Sequence, residues 1–236
     1  VVWRWKDGDN YYVARANAND LISTTSSYEI PKSLKASLNW EHAFFGDYRT
    51  TLSMYYNGHT GLPYSWIFGT DVNGDNISNE DLAYIPLRDD ARVSYGSATQ
   101  DQIDAFQDFI DNDPYLRSHR GAIASRNSSH QPWSNQLDVG LQQELPGFFK
   151  GNKSIVRLDI FNFLNMLNKD WGQVDTLGFF GTRRLANVSG VTTGPDGQQQ
   201  YVYDLGTADK PSWQNFGVYD TYTNPARVVS RWSALL

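Results

Sequence analysis

A two-residue alternation of apolar and polar side chains constrains the fold of this chain more than any other sequence feature. In Ser33–Ala43 the apolar side chains fall on every second residue, at Leu34, Ala36, Leu38 and Trp40. Successive side chains of a β-strand point to opposite faces, so this pattern predicts a strand with one apolar and one polar face. Similar alternation predicts strands at Tyr48–Asn57, Trp133–Leu145, Ser154–Phe163 and Arg227–Leu236, and weaker patterns predict a pair at Val1–Lys6 and Tyr11–Ala16.

The connections between the predicted strands alternate between short and long. "FFGD" joins the first two strands and "PGFFKGN" joins the third and fourth. The other two connections run for about 70 and about 60 residues, whereas most connections in compact domains are much shorter. The first long connection should contain a helix, because Thr99 and Gln102 form a capping box, Pro114 ends the pattern, and one apolar stripe holds Ile103, Phe106 and Ile110.

These strand and connection lengths favour a membrane β-barrel. Outer-membrane barrels have short turns at one end and long loops at the other. Predicted strands of about ten to thirteen residues match a tilted crossing of about 9–11 residues and exceed the usual strand. Aromatic residues near strand ends resemble an interfacial girdle, which would include Trp40, Tyr48, Trp133 and Trp232. A soluble sandwich alternates in the same way, so alternation by itself leaves that fold open.

The small number of predicted strands has a further consequence. A membrane barrel needs about eight strands or more, and an open sheet in lipid would leave unpaired backbone groups at its edges. On the membrane interpretation, the chain should therefore form part of a larger barrel.

Four sequence runs resemble a known family in their order and spacing. They are "DVNGD" followed by "DLAYIP", then "RGAIASRNS", "PWSNQLD" and "DIFNFLNMLNKDWG". Together they resemble the C-terminal barrel of Oar-like TonB-dependent outer-membrane receptors. The resemblance covers the chain from about Ser33 to its end and is weaker before that residue.

The resemblance implies an all-β fold, a transmembrane antiparallel barrel of about 22 strands with long extracellular loops. Residues 1–236 would form its C-terminal segment, without the plug domain. The implied function is energised passage of a large ligand across the outer membrane of a Gram-negative bacterium. The implied partners are outer-membrane lipid, the upstream strands and plug of the same receptor, and TonB. Such receptors usually end in an aromatic residue, whereas this chain ends "SRWSALL", so further residues are expected after Leu236.

The run "DVNGDNISNED" predicts a cation-binding loop. Oxygen ligands at alternate positions are typical of calcium loops, and they would come from Asp71, Asn73, Asp75, the Ile77 carbonyl, Asn79 and Asp81. Asn76 replaces the usual glycine at the sixth position, and Asp81 closes the loop one position early. A turn whose Asx side chains bind their own backbone explains the same residues, and both interpretations remain open.

Aromatic residues in the long connections are candidates for contact with a ligand. They are Tyr64, Trp66, Trp213 and Tyr219. Such side chains can stack on a sugar or a peptide, but they can equally pack among the connections themselves.

Other functional classes have little support. The net charge of -6 argues against nucleic acid as a partner, and the absence of cysteine excludes a disulfide scaffold and a thiolate metal site. The four histidines lack metal-ligand spacing, and no nucleophile motif occurs, so we expect no enzyme. Two alternatives to a receptor remain, a soluble β-rich carbohydrate-binding module with structural calcium and an adhesive surface barrel without transport.

Overall fold

The structure is a computed structural model that describes residues 14–16, 23–177, 181–194, 197–218 and 230–236. Strands predominate and helices are few, as predicted. The strands are β1 (Ser33–Phe45), β2 (Tyr48–His59), β3 (Pro63–Phe68), β4 (Tyr84–Ile85), β5 (Val93–Ser94), β6 (Ala122–Ile123), β7 (Ser129–His130), β8 (Ser134–Pro146), β9 (Lys153–Phe161), β10 (Asp175–Thr176), β11 (Thr182–Thr193), β12 (Gln199–Asp204), β13 (Gly217–Val218) and β14 (Ser233–Leu235). The helices are α1 (Gln100–Asn112), α2 (Pro114–Ser118) and α3 (Phe163–Leu167). None of these helices combines the length and the hydrophobicity needed to cross a membrane.

The chain divides into two compact units. One, here called the sheet unit, comprises Ile30–Gly61, Pro132–Thr176 and Gly217–Leu236. The other, here called the loop unit, is drawn from Val1–Glu29, Leu62–Gln131 and Leu177–Phe216. The loop unit thus contains most of the two long connections identified in the sequence.

The sheet unit is built on an open antiparallel sheet with the strand order β1-β2-β8-β9-β14. Its first four strands confirm the sequence prediction to within a few residues. The fifth, β14, covers only the end of the predicted Arg227–Leu236, and residues 219–229 lie outside the described residues. The predicted pair Val1–Lys6 and Tyr11–Ala16 also lies outside them, apart from residues 14–16.

The register of the sheet places its apolar residues in rows across the strands. One row runs through Leu38, Met54, Val139 and Ile160. The next runs through Trp40, Leu52, Leu141 and Leu158. Because a shift of one residue would move a strand's apolar set to the opposite face, these rows show that the alternation of four strands is in phase.

The loop unit has a second sheet with the order β5-β12-β11-β3-β7. Strand β3 from the first long connection runs parallel to β11 from the second, with Ser65 opposite Thr182. Their side chains join α1 and α2 in a hydrophobic core whose largest buried members include Trp66, Phe68, Phe106, Tyr203 and Leu185. The helix predicted in the first long connection is confirmed, and both long connections also contribute strands to a core that the sequence did not predict.

Helix α1 begins as its sequence predicts. The Thr99 side chain accepts a hydrogen bond from the Gln102 backbone, and the Gln102 side chain accepts one from the Thr99 N–H at 2.8 Å. Phe106 and Ile110 are buried, and Ile103 packs beside them. Pro114 follows the end of α1 and opens α2, where the Asp113 carboxylate accepts hydrogen bonds from the first turn.

Candidate functional sites

Segment Asp71–Asp81 of the loop unit is held by its own side chains. Asp71 accepts hydrogen bonds from the N–H groups of Gly74 and Asn76, both at 2.8 Å. Asn73 accepts one from the Asp75 N–H, and Asp75 accepts one from the Ile77 N–H, both at 2.9 Å. These contacts are the Asx turns that the sequence offered as one interpretation, and calcium loops use side chains at the same alternate positions.

Asparagine supplies the left-handed backbone of this segment. Asn76 and Asn79 both have φ of 64°, a conformation that glycine and asparagine tolerate better than other residues. Asn76 therefore fulfils the conformational role of the glycine usually found at the sixth position of a calcium loop.

Asp81 is buried and holds the start of the segment. Its Oδ2 accepts hydrogen bonds from the Val72 N–H at 2.6 Å and the Asn73 N–H at 3.2 Å, while Oδ1 accepts one from the Asn73 side-chain amide. Burial raises the pKa of Asp81, although the hydrogen bonds from Val72 and Asn73 oppose this effect. The carboxylate predicted to close the loop as a ligand is thus engaged with the backbone.

Glu80 was not predicted as part of the site, although it lies next to Asp81 in the sequence. Glu80 is only 4% exposed, and no described residue donates a hydrogen bond to either of its carboxylate oxygens. Arg15 Nη2 lies 3.4 Å from Glu80 Oε2 and 3.3 Å from Asp75 Oδ2. Burial raises the pKa of Glu80 to about 7, against the influence of Arg15 and reinforced by Asp75 and Asp81.

Arg15 reaches this cluster through a backbone pairing that sequence periodicity does not reveal. Its N–H donates to the Glu80 carbonyl at 2.9 Å, and its carbonyl accepts from the Leu82 N–H at 3.0 Å. Within the described residues, no group of three or more His, Cys, Asp and Glu side chains is arranged to hold a metal ion. The carboxylates of Asp75 and Glu80 converge instead on one guanidinium group.

The loop aromatics do not form the ligand-facing surface that the sequence suggested. Tyr64 and Trp66 are 2% and 0% exposed and belong to the core of the loop unit. Trp213 is partly buried and packs on Phe106 and Phe109, with ring centroids 5.8 and 5.7 Å away. The alternative of packing among the connections is thus correct for these three residues, and Tyr219 lies outside the described residues.

Aromatic residues of the sheet unit lie near both ends of its strands. Tyr48 opens β2 beside the β1–β2 turn, and Lys153 Nζ lies 5.7 Å from the centre of its ring. Trp133 and Trp232 precede β8 and β14 at the opposite end and are both exposed. Trp40 lies between these levels, opposite Leu52, and stacks on His42 at 5.9 Å.

The apolar face of this sheet is not part of the hydrophobic core. Leu38 is 55% exposed and Leu141 is 46% exposed, while Val139 and Leu158 are half-buried. The other face carries ion pairs, including Lys153 with Glu144 at 2.6 Å and Arg157 with Asp159 at 2.8 Å. One face of the sheet is thus apolar and accessible, and the other is charged.

Comparison with protein-family models, curated proteins and solved structures finds no match to this chain.

Proposed function

We propose that this chain is the C-terminal barrel segment of an Oar-like TonB-dependent receptor in the outer membrane of a Gram-negative bacterium. The observation that carries the proposal is the in-register apolar face of the sheet unit, which is accessible across four strands. Its role would be to form barrel wall and to carry extracellular segments that admit a large ligand for TonB-energised passage.

Exposure of this apolar face to water is unfavourable unless another apolar surface covers it. Exposed apolar surface costs about 25 cal/mol per Å², and soluble monomers rarely leave large contiguous patches in water. The soluble-module alternative requires Leu38, Val139 and Leu158 to pack under a second layer, yet Leu38 is exposed and the other two are half-buried. Hydrocarbon tails would cover this face without any second protein layer.

The opposite face supports a water-lined interior. Glu41, Arg49, Glu144, Lys153, Arg157 and Asp159 all occur there, and the structure joins them in ion pairs. Membrane barrels alternate in this manner, with apolar side chains toward lipid and polar side chains toward the lumen.

Strand lengths and aromatic positions agree with a membrane crossing. Strands β1, β2 and β8 contain 13, 12 and 13 residues, enough to cross the hydrocarbon region and extend past it. Tyr48 at one end and Trp133 and Trp232 at the other would lie near the two lipid headgroup regions, where aromatic side chains are enriched.

The free edge of the sheet defines the partner that the proposal requires. Among the described strands, β1 pairs only with β2, which leaves one edge of a 13-residue strand unpaired. An unpaired edge is costly in hydrocarbon, so upstream strands of the same receptor would pair with β1 and close the barrel. The plug and the TonB-contacting segment would also belong to that upstream part.

Extraction and gel mobility of the full protein test this proposal. We expect the protein to sediment with outer membranes, to require detergent for extraction, and to change mobility on heating in SDS, because closed barrels resist SDS until heated. Recovery as a soluble monomer without detergent would contradict the proposal and favour the carbohydrate-binding module. Removal of the TonB-contacting segment should abolish energised uptake, whereas a purely adhesive barrel would keep its function.

A further inference from the structure

One row of residues on the charged face of the sheet unit combines two aromatic rings with a carboxylate. Tyr55 of β2 lies opposite Asp138 of β8. Val139 pairs with Ile160, so Asp138, one residue earlier, lies opposite Phe161 at the end of β9. Residues directly opposite one another in an antiparallel sheet share a face. Tyr55, Asp138 and Phe161 therefore form one row across three strands.

Both aromatic residues of this row are open to solvent. Tyr55 is 44% exposed and Phe161 is 46% exposed. The neighbouring positions of β2 and β8 on the same face are polar or small, namely Ser53, Asn57, Gln136 and Gly140. Apolar surface in water is unfavourable, and the water-facing side of a membrane barrel is normally polar. The two rings thus interrupt a polar surface and are available to a ligand.

Asp138 is the carboxylate between the two rings. Its Oδ1 accepts a hydrogen bond from the Asn162 N–H at 2.8 Å, which holds the side chain in place. The other acidic side chains of this face, Glu41, Glu144 and Asp159, each form an ion pair with an arginine or a lysine. Asp138 forms no ion pair with any residue that the structure describes. Its negative charge is therefore available to a cation from solution.

The spacing of the two rings fits one cationic group. Neighbouring strands are about 4.8 Å apart, so Tyr55 and Phe161, two strands apart, are separated by about 9.6 Å at their backbones. A group centred above Asp138 would lie about 4.8 Å from each side, within the distance of about 6 Å at which a cation is attracted to an aromatic ring. Two rings and a carboxylate thus surround a single position.

An organic ammonium group suits this position better than a metal ion. Calcium and magnesium require about six or more oxygen ligands, whereas this row offers one carboxylate, and one of its oxygens already accepts a hydrogen bond. Aromatic rings typically recognise alkylammonium groups, because the ring faces attract the charge while the methyl or methylene groups pack against them.

We propose that Tyr55, Asp138 and Phe161 form a binding site for an organic ammonium group, carried by a small amine or by a lysine side chain. The two rings contact the group, and Asp138 neutralises its charge. A role of this site in ligand passage rests on the proposed function, because only a barrel places the charged face in a pore. Binding itself requires only that this face meets water.

Titration of the full protein with choline in a non-ionic detergent, followed by saturation-transfer NMR, tests the site. Choline should bind, and its uncharged isostere 3,3-dimethyl-1-butanol should bind about ten-fold more weakly, because it lacks the charge that the rings and Asp138 attract. A parallel titration with Nα-acetyl-lysine methylamide distinguishes the two sources. Tighter binding than choline indicates a lysine side chain as the ligand, and weaker binding indicates a small amine.

Substitutions in the row test each contact separately. Asp138→Asn should weaken choline binding about five-fold, and it keeps an acceptor for the Asn162 N–H. Tyr55→Leu and Phe161→Leu should each weaken binding about three-fold, whereas Phe161→Tyr should preserve it because a ring remains.

Matched controls remove the same chemical groups elsewhere. Asp108→Asn removes an exposed carboxylate of α1, and Phe149→Leu removes an exposed ring of the β8–β9 turn, so neither should change choline binding. Absence of choline binding, equal binding of the uncharged isostere, or unchanged binding by all the substitutions in the row would overturn the inference.

Gel mobility of the same samples keeps this inference separate from the proposed function. A protein that changes mobility on heating in SDS but does not bind choline would overturn the ammonium site and leave the barrel standing. A protein that binds choline without such a change would retain the site and contradict the barrel.

Discussion

The guanidinium carbon of Arg183 lies 4.2 Å from the centre of the Phe216 ring. Trp66, Phe109 and Tyr64 add three more rings at 4.5, 5.3 and 5.8 Å. The arginine is only 7% exposed, and its Nε donates to the Gln214 carbonyl at 2.8 Å. Aromatic faces, a backbone carbonyl and the Asp113 carboxylate, 3.9 Å from Arg183 Nη1, thus replace water around this cation.

Arg183→Lys should destabilise the loop unit by about 2 kcal/mol, because an ammonium group cannot stack on the rings or keep the directed hydrogen bonds to the Gln214 carbonyl and the Tyr64 hydroxyl. Thermal unfolding of the full protein, followed by near-ultraviolet circular dichroism, measures the change. Arg117→Lys on the exposed side of α2 is the matched control and should have little effect. Equal midpoints for the two variants would show that the ring contacts contribute no stability.

Asn76→Ala should lower stability by about 1 kcal/mol, because alanine does not tolerate the left-handed conformation at φ of 64°. Asn76→Gly should match or exceed the unsubstituted protein, since glycine adopts this conformation without steric cost. Both changes keep the N–H that donates to Asp71. The unfolding midpoints, with Ser78→Ala as a control in the same segment, test this ranking. A glycine variant as unstable as the alanine variant would contradict it.

Asp111 makes part of the stability depend on pH. Hydrogen bonds from Arg120 hold the pKa of this carboxyl below its usual value, and Arg120 also donates to the Pro86 carbonyl at 2.7 Å. The ionised form is favoured in the folded state. Ionised Asp111 therefore stabilises the folded state above the ordinary carboxyl pKa of about 3.9. This stabilisation is lost as the pH falls through the lower pKa that the carboxyl has in the folded state.

Asp111→Asn should accordingly lower the unfolding midpoint at about pH 7, and its effect should shrink as the pH falls below the ordinary carboxyl pKa of about 3.9 and through the lower pKa of the folded state. A series of unfolding curves between these values gives the dependence, with Asp108→Asn as the control on the same helix. If the unfolding midpoints of Asp111→Asn and the unsubstituted protein differed by the same amount at every pH, the Arg120 contact would not be the source of the pH dependence.

Sequence periodicity identified the strands whose two faces meet different surroundings. In β1, β2, β8 and β9 the apolar residues recur at every second position, so the pattern gave the strands, and Leu38, Met54 and Val139 confirmed their phase. Strand β3 was not predicted, because all six of its residues are buried and its sequence therefore shows no alternation of apolar and polar residues. Its aromatic residues therefore resembled a ligand surface.

Long-range pairings were beyond the sequence pattern for a different reason. Ser65 lies opposite Thr182 although the segment Pro132–Thr176 of the sheet unit lies between them along the chain, and no local signal specifies such a partner. The same holds for Arg15, which reaches Glu80 and Asp75 from a segment near the start of the chain. The sequence pattern predicted the Asx turns of the Asp71–Asp81 segment, but the burial of Glu80 beside it could be seen only in the fold.

The central claim is that the apolar face of the sheet unit contacts lipid and the charged face contacts water. Leu141 and Gln142 are adjacent in β8 and point to opposite faces, and the chain has no cysteine of its own. Leu141→Cys and Gln142→Cys can therefore each carry a fluorescent label in the full protein reconstituted into liposomes, with the unsubstituted protein reporting background labelling.

Quenching of these two labels is the most direct measurement. The account predicts that nitroxide-bearing lipids quench the label at position 141 strongly and the label at 142 weakly, while aqueous iodide quenches them in the reverse order. A label at position 141 that is shielded from the lipid quencher, or equal lipid quenching at the two positions, would contradict the account.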